Sequence, residues 1–337
     1  MPEERFLVVR LGSLGDIVHT LPAVHALREQ FPNAQIDWLV ESKWRALVAG
    51  NPDVNDIILL DRSTWRGVIS CVAKLRGRKY SCAIDFQGLY KSAVLARLSG
   101  APRRIGFERP FLREPGAASF YTECVIPAVR HVVDQNIAIV QKLGAGRGKA
   151  IFPLNISDEA AHAVALQLNA QSVKKYFVLS PGGGWLSKCW PAEQYGHLHR
   201  RLTSLPAFAG CRGVVNFGPS ERKLAEAVRL VAGEPEPLLL ATDLPQLMAL
   251  VRRAEFFVGG DSGPLHLAVA LGTPVVGLYG PTDPARNGPY SPADIVVRNA
   301  RPEETTYKRH NVPAPSMLSI TVDQVVAAVL QRMGISE

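Results

Sequence analysis

Short apolar runs alternate with longer amphipathic segments along almost the whole chain, and no other feature constrains the fold as tightly. Apolar runs of strand length, bounded by turn residues, read as strands buried on both faces, with the segments between them as covering helices. In the first half this predicts strands at 6–10, 35–40, 57–60 and 82–85. A helix follows over 17–30 and stops at Phe31-Pro32-Asn33, where proline and asparagine break it. The pattern restarts near Tyr176, with strands at 176–180, 213–217, 238–240, 256–259 and 274–278 and helices at 192–205, 220–231, 244–253 and 264–271. A chain of 337 residues suits two such cores. The expected domains are 1–155 and 173–320, joined by a linker at 156–172 that is helical from Ser157. A last helix at 322–333, after Pro302, Pro313 and Pro315, is expected to pack back on the first domain. The fold class is therefore α/β, two doubly wound parallel-sheet domains facing a cleft, with ligand at the carboxyl ends of both sheets. Epimerases and binding proteins share that geometry, so function must come from the loops.

Those loops are distinctive. The first strand runs into Leu11-Gly12-Ser13-Leu14-Gly15-Asp16, whose glycines let the backbone turn tightly beside a ligand. Asp16 is either a helix-capping carboxylate or a functional one at the mouth of the cleft. The spacing does not fit a dinucleotide fingerprint. The second half repeats the device as Pro181-Gly182-Gly183-Gly184, followed by Ser187, Lys188 and Trp190-Pro191. Successive backbone N–H groups, a hydroxyl and a cation suit a diphosphate, and the run is not a nucleotide-hydrolase P-loop. Next comes Asp261-Ser262-Gly263-Pro264-Leu265-His266 at a helix start, where the N–H groups of Ser262 and Gly263 suit phosphate oxygens. Gly280-Pro281-Thr282-Asp283-Pro284 is a further turn at a strand's carboxyl end. Glu221, after Gly218-Pro219-Ser220, either favours the helix dipole or accepts from ribose hydroxyls.

Charge is concentrated. From Arg66 to Arg113 eleven basic residues face only Asp85 and Glu108, a net +9 in a chain whose total is +8. Such a stretch is a solvated face, or it meets an anionic substrate, an anionic membrane or nucleic acid. Nucleic acid is the weakest of these, since no recognition-helix or aromatic-interleaved pattern accompanies the charge. No apolar run reaches the ~20 residues of a membrane span, and the burst at 6–9 ends at Arg10, unlike a secretory signal. A cytoplasmic location is expected. Five scattered cysteines without a CxxC pair point to reduced thiols rather than disulfides or zinc.

Taken in order, Gly12 to Pro22, Asp85-Phe86-Gln87-Gly88 with Lys91-Ser92, Lys188 with Trp190-Pro191, Gly218 to Glu221, and Asp261 to His266 resemble the lipopolysaccharide heptosyltransferases, glycosyltransferase family 9. The His19-Thr20-Leu21-Pro22 continuation is most similar to the first heptosyltransferase, which adds heptose to Kdo. The resemblance implies Rossmann-like domains of the GT-B type and inverting, metal-independent transfer from ADP-heptose to Kdo–lipid A, with no cofactor. It implies Asp16 as general base and Lys188 as the cation on the departing ADP. Gly183, Gly184, Ser187, Glu221, Thr242, Asp261, Ser262, Gly263 and His266 would hold the donor. Ser13, Gly15, Gln87, Lys91, Arg103, Arg104 and Arg113 would meet the acceptor. No metal site, nucleic acid or stable protein partner is implied, and the enzyme would sit at the inner face of the inner membrane. Two departures stand out. Arg309-His310-Asn311-Val312-Pro313 replaces cysteines of the family, and Gly182-Gly183-Gly184 replaces hydroxyl-bearing residues, leaving phosphate to the backbone. The rival readings are a relative acting on a second core heptose or a protein side chain, and a non-catalytic nucleotide-sugar sensor.

Overall fold

The computed structural model describes residues 4–146 and 148–336, which form two units, Met1–Asn155 and Ile156–Glu337. The first holds strands β1 (Arg5–Val9), β2 (Gln35–Glu41), β3 (Asp56–Leu60), β4 (Cys82–Asp85), β5 (Arg103–Phe107) and β6 (Glu123–Val125), with helices α1 (Leu14–Gln30), α2 (Trp65–Gly77), α3 (Tyr90–Leu98) and α4 (Val132–Gln141). All strand pairs are parallel, in the order β3-β2-β1-β4-β5-β6. Phe6, Leu7, Val8 and Val9 are all buried, as a central strand covered on both faces requires.

The second unit opens on α5 (Asp158–Ala170) and continues β7 (Lys175–Ser180), α6 (Ala192–Thr203), β8 (Cys211–Phe217), α7 (Arg222–Ala232), β9 (Leu238–Ala241), α8 (Leu244–Arg252), β10 (Phe257–Gly260), α9 (Gly263–Ala270), β11 (Val275–Leu278), α10 (Pro284–Asn287), β12 (Ile295–Val297), α11 (Pro315–Leu318) and α12 (Val322–Met333). Its parallel order, β12-β11-β10-β7-β8-β9, is that of the first sheet.

The structure corrects two expectations about how the chain is divided. The 156–172 segment is no free linker, because α5 packs on α8 of the second unit. The last helix also stays at home. Val325, Val326, Ala328, Val329 and Leu330 of α12 share one core with Leu179, Tyr195, Leu198 and Val276, and the Trp190 indole N–H donates to the Ile320 carbonyl at 2.9 Å. An amphipathic helix goes where its apolar stripe is completed, and here α6, β11 and β12 complete it.

His199 of α6 is buried beneath Gly213, beside the Phe177 ring, with both ring nitrogens shut away from solvent. Burial drives its imidazole down to about 4. The unfolded chain then binds a proton that the folded chain refuses, so stability falls as pH drops from ~6.5 towards 4. His199→Leu should flatten the melting temperature across that window. An unchanged pH slope in the variant would clear His199 of the effect.

Candidate active site

In each sheet the strand order reverses beside the first strand, between β1 and β4 and between β7 and β10, and the loops leaving the carboxyl ends there flank a crevice. In the first unit the two loops are tied together. The N–H groups of Leu11 and Gly12 both donate to Gln87 Oε1, at 3.0 and 3.3 Å. Buried Arg10 donates to the Phe86 carbonyl and pairs with Asp16 Oδ1 at 2.9 Å. Helix α1 begins at Leu14 rather than at residue 17, so Ser13 is the N-cap and Asp16 the third helical residue. Asp16 Oδ2 accepts from the Ser13 N–H and hydroxyl, each at 3.0 Å, while 42% of its side chain stays exposed. Capping and exposure to a ligand therefore coexist in one residue. Gly12 lies under the Trp44 indole, where a Cβ would sit 2.5 Å from Nε1.

Asp85 anchors the second loop. It accepts from the N–H groups of Gln87 and Gly88 and from the hydroxyls of Ser92 and Tyr121. Burial raises its carboxyl despite those four donors. Gly15 is buried in the first turn of α1, and Arg113 is exposed beyond β5. Lys91 reaches Glu41 Oε1 at 3.6 Å, and Arg62 and Lys43 close on the same carboxylate at 3.2 and 3.7 Å, three cations around one anion. Arg103 and Arg104 do not join this edge. They open β5, at the amino end of the sheet, where Arg103 pairs with Glu123 and the Arg104 guanidinium donates to the carbonyls of Phe120, Ala101 and Pro102. Charge density in the sequence could not reveal to which end of a strand each arginine falls.

The second unit gathers its loops around Asp261. Its Oδ2 meets Lys188 Nζ at 2.6 Å, and its Oδ1 meets His266 Nε2 at 3.2 Å and the Asn287 amide at 2.8 Å. Burial alone would raise this carboxyl. The His266 hydrogen bond and the Lys188 charge outweigh that and hold it well below the usual carboxylate range. Two glycines let the loops close in. A Cβ on Gly260 would stand 2.7 Å from the Lys188 carbonyl, and one on Gly182 would stand 2.2 Å from Glu221 Oε1. Glu221 is itself the N-cap of α7 and accepts from the Gly218 N–H at 2.8 Å. Thr242, after β9, accepts from the Asn216 amide at 2.6 Å. Ser262 caps α9, whose first-turn N–H groups, Gly263 included, lack intrahelical partners. Gly183 and Gly184 lie in the same glycine turn that leads to Ser187. Buried Ser187 Oγ, Ser262 Oγ, Thr282 Oγ1 and Asn287 Oδ1 have no hydrogen-bond partner among the described residues. Polar atoms buried that way are costly unless a ligand completes them.

A model of glycosyltransferase family 9 (heptosyltransferase) matches residues 68–315. The chain belongs to that family. It is 30% identical to lipopolysaccharide heptosyltransferase 1 of Pseudomonas aeruginosa over 86% of this chain and 82% of that one. It is 26% identical to the lipopolysaccharide core heptosyltransferase OpsX of Haemophilus influenzae over 92% and 88%. Among solved structures, Escherichia coli heptosyltransferase WaaC with ADP superposes with a TM-score of 0.76 at 26% identity, covering 97% of this chain and 99% of that one. The enzyme is a glycosyltransferase of lipopolysaccharide core assembly with two GT-B-type sheets. Among the described residues no helix is long and apolar enough to cross a membrane, and no group of three or more His, Cys, Asp or Glu side chains is placed to hold a metal ion.

Sequence reasoning missed Arg10, Asn287, and the Lys43 and Arg62 partners of Glu41. Arg10 had a usable signal, a charge ending an apolar strand just before the glycine turn. Asn287 had none, because it lies well beyond its motif and is brought back by α10.

Proposed function

We propose that the enzyme transfers heptose from ADP-heptose to Kdo of Kdo–lipid A, with inversion and without a metal. The observation that carries this reading is the Lys188–Asp261–His266 cluster beside four unpartnered buried polar atoms, a site chemically suited to a sugar diphosphate. A relative whose structure holds ADP supports adenine as the base.

Asp16 takes the proton of the acceptor hydroxyl as its oxygen bonds to the anomeric carbon. The bond from that carbon to the diphosphate breaks on the opposite face, and the electron pair leaves on ADP. Lys188, Ser187 and the N–H groups of Ser262 and Gly263 stabilise the charge that develops there. Asp261 and His266 orient the heptose, Glu221 and Thr242 hold the nucleoside end, and Gly183 and Gly184 leave room for phosphate. Ser13, Gly15 and Gln87 shape the acceptor side, while Lys91 and Arg113, joined by Lys43 and Arg62, meet its carboxylates and phosphates. Arg103 and Arg104 are left out of this reading. Exposed Trp65 and Ile69 on α2, beside Arg66, support contact with an anionic lipid surface from the cytoplasmic side.

The test is a calorimetric titration with ADP, UDP and GDP, each with and without EDTA. ADP alone should bind, indifferent to EDTA. Preference for UDP or GDP, or dependence on metal, sinks the ADP-heptose assignment.

A further inference from the structure

The segment that departs from the family's pattern, around Arg309-His310, is fixed in place at both ends. The Thr306 N–H donates to the Pro281 carbonyl at 2.8 Å, and Arg298 donates to Thr305 Oγ1 at 2.9 Å. Further along, the Ser187 N–H donates to the His310 carbonyl at 3.4 Å. Pro281 follows β11 and Ser187 follows β7, and β10 lies between those strands. A segment tied to both loops therefore crosses the carboxyl end of β10, where Asp261 and the start of α9 lie. Its side chains bring more cation. Arg309 stands 5.3 Å from the centroid of the Trp185 ring, over which Lys188 Nζ also stands, at 4.2 Å. The Arg286 guanidinium covers the Tyr307 ring at 5.2 Å. Lys188 is already matched by Asp261, whereas exposed Arg309 has no carboxylate within ion-pair reach among the described residues. Two cations held on one aromatic ring repel unless an anion lies near both.

We propose that residues 305–310 form a strap over the donor site and that Arg309 is a second cation for the donor's diphosphate, held in place by Trp185. This deepens the donor-site reading and rests on it. Arg309→Ala should weaken ADP binding about tenfold, the scale of one charge-assisted hydrogen bond, and leave adenosine binding unchanged. Arg309→Lys should recover part of the loss. Calorimetry of wild type and both variants with ADP and with adenosine separates the outcomes. Unchanged ADP affinity in Arg309→Ala overturns the strap's role. An equal loss for adenosine overturns the diphosphate assignment, since the arginine would then act through the base. Failure of wild type to bind ADP removes the donor reading itself, and this proposal with it.

Discussion

Asp16→Asn should reduce kcat about a thousandfold or more while ADP binds as in wild type. Asparagine keeps the size of the side chain but cannot take a proton. The structure also says where the substitution hurts locally. Asp16 uses one oxygen for Arg10 and the other for Ser13, so an amide must turn a donor towards a donor on one side. Some loss of helix capping, about 1 kcal/mol, is expected with it. Melting temperature therefore has to be measured beside kcat. A variant that folds and transfers at the wild-type rate would end the base assignment.

Asp261→Ala should be the most damaging change in the second unit. It leaves Lys188, His266 and the Asn287 amide facing one another in a buried site, and breaking a buried pair in this way costs about 3–5 kcal/mol. Lys188→Ala should cost less stability, since Asp261 keeps His266 and Asn287, but should weaken ADP binding more selectively. Chemical denaturation with ADP titration checks both. Equal stability of Asp261→Ala and wild type would mean the cluster contributes nothing to the fold. The pH dependence has a definite sign. Because the folded carboxyl lies below its unfolded value, its contribution is complete above ~4 and is lost as pH falls further towards the folded value. The gap between wild type and variant should narrow as pH falls below ~4.

The central strands were legible because burial on both faces leaves an uninterrupted apolar run, as in 6–9 and 82–84. Strand β5 was not, since it opens on Arg103-Arg104 and carries a glycine, and β6 and β12 are three residues each. Helices α2 and α3 were hidden in the basic stretch, where their charges point outward and blur the apolar period. The glycine turns could be read as chemistry because a strand ending in Gly-rich backbone has few other uses. What could not be read was partnership. That Asp261 joins Lys188 rather than merely lying near it depends on β7 and β10 being neighbours, and adjacency in a sheet is a property of topology. Nor could the sequence tell that Arg103 lies at the amino end of its strand, since β5 itself could not be read.

The return of α12 to its own core means the chain passes from one unit to the other only once, at Asn155–Ile156. Each half is thus a single uninterrupted stretch of gene. One recombination event at that point would exchange a whole unit between family members without splitting either sheet. On the proposed reading, in which the second unit holds the donor and the first the acceptor, diversity in the sugar delivered and in the molecule receiving it can arise separately and be recombined as halves rather than as scattered point changes.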